Sequence, residues 1–200
     1  MSTRARSASR ERGLSFVELL MFIIVVGVCL AGVLAAINLG VQHSADPMIR
    51  KQALAAAESL LEEIELQPFT YCDPRDPSAS TATSSAVGPT GCSAAGYSMD
   101  NTANWGSGKS RYGPPAQPDF YNNVGDYNNF SMSGTLNDIF QQSSSSLAGY
   151  SASVSVSQVG GGFGLANNAD ALRINVSVTG GGNTITLTGF RFRHSPNLVD

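Results

Sequence analysis

Three sets of residues in this sequence have types and spacings that could do chemistry. They are a lone carboxylate, Glu18, at the head of a long apolar run; two cysteines, Cys72 and Cys92; and an oxygen-rich stretch holding Asp119, Asp126 and Asn128. A carboxylate left unpaired in lipid costs a few kcal/mol, so Glu18 calls for a cationic partner. Cysteines in an oxidising compartment pair, and closing a loop of about 20 residues stabilises a fold by ~3 kcal/mol in the chain-entropy model. Calcium takes about six to eight oxygens, commonly with a bidentate acid, and the ordered spacing of an EF-hand is missing around Asp119, Asp126 and Asn128. The simpler reading is a loop rich in Asx turns whose rings, Phe120, Tyr127 and Phe130, tuck under a sheet.

Other chemistry finds no support. The sequence has no Gly-x-Ser-x-Gly elbow, phosphate-binding glycine loop or His-Glu-x-x-His. The serines at 143–146 have no histidine nearby in sequence, and the glycine clusters near Gly160 and Gly180 read as turns. His43 and His194 lie far from the cysteines and no Cys-x-x-Cys occurs, which disfavours zinc. Arg191, Arg193 and His194 form a small basic end to the last strand, expected to be a solvated edge that discourages aggregation. Neither an enzymatic activity nor a cofactor is expected.

The element that must position Glu18 is the run at residues 19–41, uncharged and with Asn38 as its single strongly polar side chain. As a helix it reaches ~34 Å, enough for a bilayer core. It is too long for an ordinary secretory signal, and no Ala-x-Ala site with a polar flank closes it. Residues 1–13 hold four arginines against one glutamate, which keeps that end in the cytoplasm and sends the C-terminal part outward. Cys29 then falls within the span, and Cys72 and Cys92 fall in the exported part, where they are expected to form a disulfide. The formal charge of −3 becomes −6 without residues 1–13, an acidic balance that argues against nucleic acid as a partner.

Gly13, an apolar residue after it, and Glu18 five places beyond the glycine, behind an arginine-bearing leader and ahead of a spanning helix, resemble the class III signal of type IV prepilins and type II secretion pseudopilins. The resemblance implies cleavage after Gly13 by a prepilin peptidase, methylation of the new terminus at Leu14, and pairing of Glu18 with the terminal amine of a neighbouring subunit. Leu14 departs from the more usual phenylalanine or methionine but keeps the apolar character. A buried ammonium and a buried carboxylate compensate each other, which agrees with that pairing.

Beyond the span, Asp46-Pro47 has the form of an N-cap and first-turn proline, and Ile49, Ala53, Ala56, Leu60 and Ile64 draw one apolar stripe down a helix ending before Pro68. The basic pair Arg50-Lys51 near its start and Glu62, Glu63 and Glu65 near its end oppose the helix dipole, so packing must hold it. The resemblance implies one long helix from Leu14 to about Leu66, whereas Gly40 and Pro47 predict a kink or local melting between them. Residues 73–118 read as a long irregular loop, with disorder as the competing reading. From Tyr150 the apolar period becomes two: Tyr150, Ala152, Val154, Val156, then Leu172, Ile174, Val176, Val178, then residues 184–192 after a glycine-rich connection, with a fourth strand expected near residues 130–136.

The expected fold is α+β and pilin-like: a long N-terminal helix against a small antiparallel sheet, divided into a leader (1–13), a transmembrane or filament-core helix (14–41), an amphipathic helix (42–68) and one exported β-rich domain (69–200). The glutamate-rich helix end, the Cys-Asp-Pro within residues 69–74, Asn-Val-Gly-Asp-Tyr-Asn, and the closing Arg191-Phe192-Arg193 are similar to minor pilins of mannose-sensitive haemagglutinin (MSHA) type. That resemblance implies an inner-membrane protein with its domain in the periplasm, later on a surface pilus. Its partners would be prepilin peptidase, the assembly platform, and major and other minor pilin subunits. A minor pseudopilin of type II secretion, or an anchored periplasmic binding module that never polymerises, are the alternatives.

Overall fold

The computed structural model describes residues 15–112 and 119–197, with residues 39–46 described as backbone alone. The fold is α+β. Helix α1 runs Phe16–Glu65, and the chain divides into two units at Asp46 and Pro47. The local melting expected between Gly40 and Pro47 is not found: helical backbone continues through both residues. Pro47 offers no N–H to the carbonyl one turn back, but one missing bond does not end a helix whose neighbouring turns remain bonded. The end near Leu66 and Pro68 is as expected.

Within the second unit, α1 supplies Ala53, Ala57, Leu60 and Ile64 to the core, with Ile49, Ala56 and Leu61 partly buried beside them. The spacing of three and four puts these on one face. Against them lies a four-stranded antiparallel sheet of order β1-β4-β5-β6, comprising β1 (Ser131–Met132), β4 (Ser151–Gln158), β5 (Ala171–Gly180) and β6 (Asn183–Phe192). Ala152, Val154 and Val156 of β4 and Leu172, Ile174, Val176 and Val178 of β5 are all buried, so the alternation in the sequence does select the core face. The outer face is hydroxyl-rich: Ser177 hydrogen-bonds Thr186, and Thr179 bonds Thr184, each at 2.8 Å.

Strands β5 and β6 meet in a hairpin closed at Gly180 and Asn183, with Gly181 and Gly182 at φ of 57° and 80°. Two successive positive φ values define the mirror-image turn that matches strand twist, and glycine adopts them without strain. At Gly189 the constraint is space instead, since an added Cβ would collide with the Glu65 carboxylate and touch Leu61 of α1.

The fourth strand expected near residues 130–136 is divided. Its first part is β1, while β2 (Thr135–Asn137) pairs with β3 (Ser143–Ala148) in a separate two-stranded sheet. Gly134, at φ 82°, breaks the run between them. Residues 73–112 are irregular but built around buried groups: Ala79, Ala82 and Cys92 form a second small core with the preceding Cys72, and Met99 and Trp105 join the main one.

Candidate functional site

Gly13 and Leu14 lie outside the described residues. Glu18 stands in the first turn of α1, where a carboxylate complements the positive end of the helix. It is exposed, and no ion pair joins it to another described residue. Around it, Phe16–Asn38 forms a 23-residue span of mean hydropathy 3.0, none of it buried within this chain. Among the described residues one helix is therefore long and apolar enough to cross a membrane.

Cys72 and Cys92 are joined in the anticipated disulfide. Asp76 lies close to both sulfurs, but their bond to each other removes the thiolates a metal would need. The Asp76 carboxylate is instead taken up by the backbone N–H groups of Ser78 (2.9 Å) and Ser93 (2.8 Å).

The candidate calcium ligands Asp119, Asp126 and Asn128 are not brought together. Asp119 is exposed and meets Arg75 at 3.4 Å, and Asn128 Oδ1 accepts the N–H of Val156 at 3.0 Å. Asp126 is fully buried and faces the Lys109 ammonium at 2.7 Å. Lysine supplies the charge that a cation would have supplied. The placement of Asp126 is local in origin: Asn123 caps a short 3-10 turn, Val124–Tyr127, and Asp126 accepts back from the Asn123 N–H at 3.1 Å. Asp126 also accepts from Gly106 N (2.9 Å) and Asn122 N (3.1 Å).

Lys109 Nζ donates to Asp73 Oδ2, Asp126 Oδ2 and Asn122 Oδ1, each at 2.7 Å, so its three hydrogens have three acceptors. Asp73 is further held by Arg75, whose guanidinium reaches both its oxygens at 3.0 and 3.1 Å. Burial alone would raise the Asp73 carboxyl, but hydrogen bonds from Arg75 and Lys109 outweigh it and hold the group below its ordinary value.

Two further buried cations organise the domain. Arg111 grips Glu63 of α1 through both carboxylate oxygens and donates to Asn137 O at 3.0 Å. Tyr127 donates to the same Glu63 at 2.7 Å. Burial, then the Glu63 charge, push the Tyr127 phenol well above its usual range. Glu63, in the glutamate-rich end of α1 that is unfavourable in an isolated helix, is thus answered from across the fold. Arg193 is not a solvated edge as expected: its side chain is 1% exposed, pairs with Asp100 (2.7 Å) and Asp170 (3.2 Å), and lies over the rings of Phe69 and Tyr71. His194 beside it is exposed.

Sequence reasoning missed Lys109, Arg111 and Arg193 as structural cations. The Asn123 to Asp126 capping spacing and the Asp73-Pro74-Arg75 turn were readable signals for two of the carboxylates, but nothing local named the partners. A pocket of about 190 Å³ lined by Leu66, Phe69, Arg191 and His194 among others is smaller than the ~300–1,000 Å³ usual for small-molecule sites. Comparison with protein-family models, with curated proteins and with solved structures returned no match.

Proposed function

We propose that this chain is a structural, non-enzymatic subunit of a type IV pilus, a minor pilin of MSHA-like type. In this reading prepilin peptidase cuts after Gly13, Leu14 becomes the methylated terminus, and α1 packs among other pilin subunits in the filament. The pilin-like layout, inner-membrane insertion with the domain in the periplasm, and delivery through an assembly platform to a surface pilus all belong to the proposal.

The observation that carries it is the juxtaposition in one helix of an exposed 23-residue apolar span headed by Glu18 with an outer half that supplies a domain's core stripe. A plain anchor needs the apolar span alone. A carboxylate at the span's head complements the helix end but still costs free energy in lipid unless a cation meets it. A neighbouring subunit's terminal amine has the right charge and sits at the right end.

Mass spectrometry of the membrane-extracted chain is the first test, with a terminus at methylated Leu14 expected. An intact Met1 overturns the reading in favour of an anchored periplasmic module. Glu18→Ala is expected to insert normally yet fail to enter filaments, read by pull-down with the major subunit and by filament yield. Unchanged incorporation of that variant removes the pairing role. Rescue of secretion instead of piliation, in a strain deleted for this chain, would assign it to the type II secretion pseudopilins.

A further inference from the structure

The surroundings of Lys109 hold more than an ion pair. Its side chain is 0% exposed, and one of its three acceptors, Asn122 Oδ1 at 2.7 Å, is a neutral carboxamide. An ammonium is a donor only, which settles that the amide oxygen and not its nitrogen faces Nζ. With a C=O bond of about 1.2 Å, Asn122 Cγ then lies roughly 3–4 Å from Nζ, and a swing of Nζ from the oxygen side to the carbonyl face brings it to the position from which an amine attacks.

We propose that this cluster forms an intramolecular isopeptide bond between Lys109 Nζ and Asn122 Cγ. Asn122 is the electrophile because its carbonyl is neutral, whereas the other two acceptors are acids, which as carboxylates resist attack. Asp126 receives three backbone N–H groups, and Asp73 receives the Arg75 guanidinium and backbone N–H. Asp126 takes a proton from the ammonium, and the freed amine adds to Asn122 Cγ. The tetrahedral carbon collapses with cleavage of Cγ–Nδ2. The proton stored on Asp126 and one remaining on Nζ pass to the departing nitrogen. The balance is one ammonium side chain and one carboxamide giving one secondary amide and one free ammonium ion, with Asp126 restored and no oxidant or reductant involved.

Two features of the site suit the outcome. Asn122 is only partly buried, which gives the ammonium ion an exit that the fully enclosed Asp126 does not have. Losing the lysine charge strands neither acid, since Asp73 keeps Arg75 and Asp126 keeps its three N–H donors. Asp73 directly follows Cys72, so the new bond and the disulfide are two covalent ties meeting in one region, a form of reinforcement suited to a domain exposed to proteases or to pulling. The bond does not depend on the filament reading.

The test is intact-mass measurement of the full chain extracted in detergent, followed by reduction and peptide mapping. The expected mass, counted from whichever terminus is found, is lower than the disulfide-bonded sequence by one ammonia. Digestion is expected to give a branched peptide joining Lys109 to Asn122. Lys109→Arg and Asn122→Ala are each expected to restore the full mass, and Asp126→Ala to retain the ammonia with both bond partners present. Wild-type chain at full mass with linear peptides carrying Lys109 and Asn122 overturns the proposal, whether or not the variants fold. Loss of ammonia that persists in Lys109→Arg also overturns it, as the mark of a cyclic imide, and so does loss of water with a branch at Asp126.

Discussion

Along Phe16–Asn38 the helix presents an apolar surface with no part of it buried within the chain, and its one charge, Glu18, is exposed. The unit beginning at Pro47 differs: it has its own apolar core and encloses Lys109, Arg111 and Arg193 beside carboxylates. The first region leaves its interactions open, and the second satisfies them internally. A segment whose apolar face and single charge are both left open is suited to a membrane and to assembly, whereas the domain encloses three of its cations, Lys109, Arg111 and Arg193, and leaves Arg50, Lys51 and Arg173 at its surface. That contrast explains how a chain so poor in charge places its few charges. Part of that charge, at Asp73, Lys109, Asp126 and Arg193, fixes loops that contain too few apolar residues to fix themselves.

The contrast is most sharply broken at Lys109. Lys109→Met removes the donor that Asp73, Asp126 and Asn122 share, and leaving buried acceptors short of a partner costs about 1–3 kcal/mol each, more for charged groups. The expected result is a large fall in the denaturation midpoint of the domain with no change in membrane insertion. Removing the disulfide as Cys72→Ser with Cys92→Ser is expected to cost about 3 kcal/mol for its closed loop, read as loss of protease resistance in residues 73–98 while the sheet persists.

The pH dependence follows from the same groups. Asp73 titrates below its ordinary value of 3.8 when folded, so its contribution is complete above that pH and disappears as pH falls through the lower, folded value. Tyr127 is raised from 10.0, so its contribution is complete below pH 10 and declines as pH rises beyond it. Thermal unfolding followed across pH is expected to lose its steep acid limb in Asp73→Asn and its alkaline limb in Tyr127→Phe. The smallest effect is expected from removing the first unit altogether. A chain starting at Pro47 keeps every core residue of the second unit, and should be soluble with a midpoint within a few degrees of the full chain.

Much of this was legible in the sequence. The apolar run, Glu18, the stripe from Ile49 to Ile64 and the alternating residues of β4 and β5 each follow from a local period, 3.6 or 2, that burial on one face imposes. The glycine pair of the β5–β6 turn was legible for the same reason: its backbone requirement is local. The serine strand β3 was missed because its residues are mostly exposed and carry no apolar alternation. The calcium reading failed because oxygen-rich side chains in a loop look the same whether they await a metal, cap a turn or hold a lysine 17 residues away.

Sequence alone therefore determined the membrane-length span, the apolar stripe of the outer helical half and the core face of the sheet, since these rest on neighbours along the chain, and it left Cys72 one exported partner, Cys92; that the helix runs unbroken through Gly40 and Pro47 was not read from those residues. Tertiary structure decided which charges meet: Glu63 with Arg111 and Tyr127, Arg193 with Asp100 and Asp170, Lys109 with Asp73, Asp126 and Asn122. A charge carries no record of its partner in the residues beside it. Pairing depends on which distant loops the packed core holds within about 3 Å of each other, and that distance exists only once the chain has folded.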